Sequence, residues 1–151
     1  MREIKYRYYC EEEKKMFPVY VIRFDDKDFS MINIKIGDCF HARPVTPTNK
    51  DHLIQYTGLK DKNGKEIYEG YIGYYDDEKR SETPFCDDFT NRILYQMIWL
   101  NEDAEYNLML VRDKDESHYD NFVNLHYDGA KAFVVIGNIF ENSELLGESH
   151  E

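Results

Sequence analysis

Three groups of side chains in this sequence have the types that chemistry needs. Cys39-x-His41 together with His52 supplies three of the four ligands a zinc ion takes. A fourth ligand at matching spacing is missing, and a zinc site also needs partners that orient its ligands. Asp115, Glu116, His118 and Asp120 offer oxygen for a hard cation. That stretch lacks the glycine and the ligand spacing of an EF-hand, so solvated acids are the plainer reading. Cys10 or Cys86, brought in space to a histidine, would make a thiol nucleophile. Any chain with 3 cysteines and 5 histidines raises that pairing. Cys86 also neighbours Asp87 and Asp88, whose charge disfavours a thiolate. There is no Gly-x-Ser-x-Gly elbow and no glycine-rich phosphate loop. No catalytic residue, metal or cofactor is assigned, and the expectation is a protein that is not an enzyme. A small metal-dependent hydrolase working through the region of His118 and His126 is the enzymatic alternative.

Charge is divided unevenly along the chain. Residues 1–70 hold 13 Lys and Arg against 12 Asp and Glu, a net +1, whereas residues 71–151 hold 6 against 18, a net −12. The acidic half repels nucleic-acid backbones, so no direct nucleic-acid partner is expected. It suits solubility or a basic partner. One specific form of the second idea is an acidic decoy that fills a nucleic-acid groove on a host protein. Asp76, Asp77, Glu78, Asp87, Asp88, Glu102, Asp103 and Glu105 would then stand in for phosphates. The 3 cysteines are odd in number and widely spaced, which argues for thiols rather than a disulfide framework. No apolar run approaches the ~20 residues that span a bilayer, and the N-terminus lacks a signal-peptide core. The expected address is the cytoplasm, with no membrane partner.

The most structured stretch is Gln55-Tyr56-Thr57-Gly58-Leu59-Lys60-Asp61-Lys62-Asn63-Gly64-Lys65-Glu66-Ile67-Tyr68-Glu69-Gly70. Asn63-Gly64 is the preferred centre of a two-residue type I′ turn, so this reads as a tight hairpin. Lys60, Asp61, Lys62, Lys65 and Glu66 form its solvated tip in this reading. Tyr56, Tyr68 and Tyr71 are the expected protein-contact residues on its flanks.

The same stretch resembles the signature of the YopX family, small proteins carried by bacteriophages and prophages. Met1-Arg2-Glu3-Ile4-Lys5-Tyr6-Arg7 and Lys14-Lys15-Met16 resemble the family's opening strand and the segment after it. Val135-Ile136-Gly137-Asn138-Ile139-Phe140-Glu141-Asn142-Ser143-Glu144-Leu145-Leu146 resembles its closing motif. Three matches in the right order make a specific signal, whereas residues 73–132 carry little of it. The family usually has Asp where this chain has Tyr71, and a different triplet where this chain has Tyr8-Tyr9-Cys10. The resemblance implies a mostly β fold in two parts, self-association and no established biochemical activity. The expected protein is therefore a phage or prophage accessory protein in the bacterial host cell. It would be a self-assembling interaction module that binds a host or phage protein.

The rest of the chain supplies the frame. Residues 4–9 alternate, with Ile4, Tyr6 and Tyr8 on one face and Lys5, Arg7 and Tyr9 on the other, which is the period of a strand. Residues 16–24, 29–36, 93–100, 106–111 and 133–140 read as strands, and 118–127 as a weaker one. Residues 39–51, with Pro44 and Pro47, read as a loop, and 72–92 as a long irregular stretch with a short helix starting at Asp87. One helical turn is expected after Asn142. Short strands with repeated turns argue a mainly β fold, meander sheets curled into a barrel or half-barrel with little helix. The expected organisation is one domain over 1–151. It divides into an N-terminal β subdomain 1–57 and a C-terminal β subdomain 58–146, with 147–151 a frayed tail.

Overall fold

The computed structural model describes residues 3–24, 30–45, 52–76, 94–100, 105–112, 122–124 and 130–146. The fold is mainly β, built of antiparallel strands in two sheets. The expected helix from Asp87, the acidic cluster from Asp115 to Asp120 and the tail 147–151 lie outside the described residues. Chain contacts divide the protein into two compact units, Met1–Tyr56 and Thr57–Glu151. No helix among the described residues is long and apolar enough to cross a membrane.

The first unit is a meander of β1 (Tyr6–Cys10), β2 (Lys15–Phe24), β3 (Ser30–Ile36) and β4 (Cys39–Val45), followed by the start of β5 (Leu53–Lys60). The hydrogen-bonded order is β4-β3-β2-β1-β5, which leaves β4 at the edge. Alternation in β3 sends Ile32 and Ile34 inward, where they pack with Tyr8, Cys10, Phe17 and Val45. Strand β4 corrects the expectation of a loop over 39–51. Pro44 argues against a central strand, but an edge strand loses no needed donor to a proline. The simple alternation expected in β1 also fails, because Tyr8, Tyr9 and Cys10 are buried in succession. The His52 ring explains part of this, lying 6.2 Å from the Tyr8 ring and 6.1 Å from the Tyr9 ring. Strand β2 carries a bulge, with Val19 opposite Ile34 and Val21 already opposite Asn33. The extra residue is Tyr20.

The second unit holds the end of β5, then β6 (Glu66–Tyr68), β7 (Tyr71–Tyr75), β8 (Leu94–Leu100), β9 (Glu105–Arg112), β10 (Phe122–Asn124) and β11 (Phe133–Asn138). Its five-stranded sheet runs β10-β9-β8-β7-β11. Among the described residues no pairing joins β10 to β11, so the sheet is open rather than a closed barrel. Strand β7 corrects the irregular reading of 72–92 at its start. It lies between β8 and β11, and Tyr71, Ile72 and Gly73 are buried in succession because both faces are covered. The acids and Thr83-Pro84 further along make the whole stretch read as irregular, and Gly73 sits inside the strand. A Cβ there would sit 2.6 Å from Cζ of Phe133, so the glycine makes room for a fully buried ring. After β11 a 3-10 turn follows at Ser143–Leu146.

Candidate functional site

The hairpin signature and the closing motif meet in the second unit. The loop between β5 and β6 is not the two-residue type I′ turn that Asn63-Gly64 suggests. Among non-glycine residues described, Lys14 alone has positive φ, so Asn63 does not take the required conformation. The Gly64 amide instead donates to the Asp61 carbonyl (3.0 Å), and the Asp61 amide donates to the Lys65 carbonyl (2.8 Å). With Gly64 at φ 81°, this is a three-residue loop, a type I turn closed by a glycine bulge. The cause is Asp61, whose Oδ1 accepts the amides of Asn63 (2.9 Å) and Lys65 (2.8 Å).

Asp61 was expected at a solvated tip, yet it is 6% exposed. Its second oxygen accepts the Val135 amide of β11 at 3.0 Å. Beside it, the Lys62 amide donates to the Phe133 carbonyl (2.8 Å), and Lys62 Nζ reaches Asp76 Oδ2 (2.8 Å). Further along, the Gly70 carbonyl accepts the Ile139 amide at 3.0 Å. Asn138 completes the closing motif, its Oδ1 accepting the amides of Phe140 (3.0 Å) and Glu141 (2.9 Å). Two motifs far apart in sequence are thus one hydrogen-bonded assembly. Their residues answer the rule that buried backbone donors need partners. That assembly accounts for them without any substrate.

The three tyrosines expected at a contact surface are correspondingly inside. Tyr56, Tyr68 and Tyr71 are 5%, 3% and 3% exposed. Tyr68 and Tyr71 pack with ring centroids 5.4 Å apart, and the Tyr68 hydroxyl donates to Glu66 at 2.9 Å. Lys5 Nζ lies 5.5 Å from the Tyr56 ring centroid. These residues are core, and burial rather than recognition explains their bulk. Of the expected acidic surface, Asp76 is paired with Lys62, and exposed Glu105 accepts from Asn107 Nδ2 at 3.1 Å. Asp77, Glu78, Asp87, Asp88, Glu102 and Asp103 lie outside the described residues.

Among the described residues the candidate thiols and imidazoles do not converge. Cys10 is buried among apolar side chains, and Cys39 is exposed on β4. Cys86, His118 and His126 lie outside the described residues. His52 belongs instead to a surface pair with Glu11, its Nε2 3.0 Å from Oε1, while Lys14 Nζ holds the other carboxylate oxygen at 3.1 Å. The hydrogen bonds from Lys14 and His52 hold the Glu11 carboxyl below its usual range. No cluster of three metal-ligating side chains occurs among the described residues.

What the structure does expose is the outer face of β2, β3 and β4. Tyr20 and Phe40 are 56% and 63% exposed, among the most open large apolar side chains of the described residues. Their rings meet edge to face at 5.5 Å, and Lys35 Nζ lies 6.0 Å from the Phe40 ring centroid. The β2 bulge is what delivers both Tyr20 and Val21 to this side, since Val19 and Ile22 around them face the core. Register does the rest: Lys35 is opposite Phe40, and Asn33 opposite Ala42. These three strands contain Lys15, Arg23, Lys35, His41 and Arg43, and not one Asp or Glu. In a chain with 30 acids in 151 residues, three strands without one are the signal in the sequence for this face, although Asp25, Asp26, Asp28 and Asp38 lie in the connections between them.

These features define a mainly β protein of two units, in the second of which the hairpin loop and the closing motif are joined by hydrogen bonds. The family model for YopX protein matches residues 5–147. The chain therefore belongs to the YopX family. No curated protein matches it. Among solved structures, protein EF1440 from Enterococcus faecalis is 27% identical over 97% of this chain and 99% of that one, with a TM-score of 0.53.

Proposed function

We propose that this protein is a non-enzymatic interaction module, an accessory protein of a phage or prophage that works in the cytoplasm of the bacterial host. Its contact surface is the β2–β4 face around Tyr20 and Phe40, through which it self-assembles or holds a protein partner. The observation that carries this reading is the exposure of two contacting aromatic rings, set beside Lys35 on acid-free strands. Aromatic residues and arginine, rather than bulk hydrophobicity, mark the cores of protein interfaces. Family membership supports the accessory role. The test compares the wild type with Phe40→Ser for self-association by light scattering and for protein capture from bacterial lysate. Loss of association or capture is expected, with the circular dichroism spectrum unchanged. Full retention of both would refute the assignment of the face.

A second reading is supported by the −12 charge of residues 71–151, which suits an acidic decoy for a basic groove. A partner held this way would be released steeply as salt rises. A partner held at the aromatic face would resist salt more.

A further inference from the structure

We propose that Asn63 is a site of self-modification, where its carboxamide closes on the Gly64 nitrogen, and that Asp61 gates the reaction. Asn63 is the one asparagine of the chain that precedes a glycine. Glycine leaves the attacking nitrogen unobstructed, because no Cβ stands beside it. Here a Cβ on Gly64 would meet nothing within 4 Å beyond its chain neighbours, and both residues are exposed to water. In the reaction the Gly64 N–H gives its proton to a base in the solvent, and the nitrogen bonds to Cγ of Asn63. The Cγ–Nδ2 bond breaks, and the amide nitrogen takes up a proton and leaves as ammonia. The product is a succinimide ring, which water opens. Breaking the new Cγ–N bond leaves aspartate at position 63, and breaking the main-chain amide leaves isoaspartate. The sum is one water consumed and one ammonia released.

The folded loop opposes both requirements of ring closure. The Gly64 amide donates its hydrogen to the Asp61 carbonyl at 3.0 Å, so the proton that must leave is engaged. Asn63 is the third residue of the type I turn, where ψ is roughly 0°. Closure needs the Gly64 nitrogen eclipsed with Cβ of Asn63, and that ψ swings the two apart. The loop must therefore open before it reacts. What holds it shut is Asp61 Oδ1, which accepts the amides of Asn63 (2.9 Å) and Lys65 (2.8 Å). The rival site is Asn142, which precedes the small Ser143. Its carboxamide is engaged, with Oδ1 accepting the Asn138 amide at 3.2 Å, so Asn63 ranks first. Conversion also reaches beyond the loop. Isoaspartate adds one atom to the main chain between the two amides that Asp61 Oδ1 accepts, while Oδ2 of the same carboxylate holds Val135 of β11.

The test incubates the full chain at mildly alkaline pH, native and in guanidinium. Position 63 is followed by peptide mass spectrometry and by methyl transfer from an isoaspartate methyltransferase. Native wild type should convert more slowly than the unfolded chain. Asp61→Ala in native buffer should convert about tenfold faster than wild type, because losing charge-assisted bonds eases local opening of the loop. Asp61→Asn keeps one acceptor oxygen and should fall between them, with the circular dichroism spectrum of the wild type. If Asp61→Ala is unfolded, the Asp61→Asn rate alone decides. In the converted fraction the Val135 amide should lose its protection from exchange. Equal rates at position 63 in wild type and Asp61→Asn would overturn the gate. Conversion of Asn142 ahead of Asn63, or no product at 63 even in guanidinium, would overturn the site.

Discussion

Replacing Asp61 by Ala is the sharpest test of how this fold is held. The carboxylate accepts three backbone amides, those of Asn63 and Lys65 within the loop and that of Val135 on β11. Hydrogen bonds to charged groups contribute about 1.5–3 kcal/mol each, and a buried donor left alone costs about 1–3 kcal/mol. The Asn63 and Lys65 amides are only partly buried, so water recovers much of their share. The Val135 amide is buried and has no such recourse. The loss comes to about 3–5 kcal/mol, against a total stability of about 5–15 kcal/mol for an ordinary domain. Guanidinium unfolding with linear extrapolation reads the total. Amide exchange reads where it falls: Val135 should lose protection first, ahead of β8 and β9. Asp61→Asn should land between the two, since one carboxamide oxygen can serve the loop or Val135 but not both. A loss under about 1 kcal/mol, or an unchanged Val135 amide, would refute the reasoning, because a buried triple acceptor cannot be removed so cheaply.

Gly64→Ala should cost about 1–2 kcal/mol in the same unfolding assay, since its φ of 81° is strained for any residue with a Cβ; Gly64→Asn should cost less. Gly73→Ala should cost more than Gly64→Ala, about 3 kcal/mol, because its methyl meets the buried Phe133 ring and a β11 carbonyl. Burial, with Tyr95 adding to it, pushes the Tyr75 hydroxyl up to about 12. Between the ordinary value of 10 and about 12 the folded state keeps a proton that the unfolded chain has lost, so stability falls as pH rises through that window. Tyr75→Phe should remove that alkaline loss, read as a flatter stability profile above pH 10. For Glu11 the sign is opposite. Its lowered value favours the folded state at pH above the ordinary carboxylate range, and the benefit fades as acid protonates it; Lys14→Ala should return its NMR titration toward the ordinary value.

The strands with plain alternation or apolar runs were legible, as β3, β8, β9 and β11 show. What the sequence hid has identifiable causes. Strand β4 was masked by Pro44, which is costly only where a ladder partner waits for its amide, and an edge has none. Strand β7 was masked by the acidic stretch with Thr83-Pro84 that follows it, and the role of its Gly73 depends on Phe133, a residue it meets only after folding. Asp61 lies between Lys60 and Lys62, and such surroundings read as solvent until β11 arrives to bury the carboxylate. The tyrosines failed for a related reason: a Tyr in a strand is equally at home inside or at an interface, and only the register decides. Val21 and Arg23 join Tyr20 on the open face through a bulge, which shifts the period by one residue and leaves no mark in composition. The absence of acids from β2, β3 and β4 was readable, but it gains meaning only once the three strands are known to be neighbours.

The bond between Asp61 and Val135 also sets a clock. During synthesis the β5–β6 loop leaves the ribosome long before its third hydrogen-bond donor exists. At roughly 5–20 residues per second, the intervening 74 residues take about 4–15 s to make. The first unit needs nothing from beyond Tyr56 to complete its strand pairing. It can be finished while the second is still waiting for its last strand. For those seconds the nascent chain shows its aromatic β2–β4 sheet before the strands of the second unit have all been made.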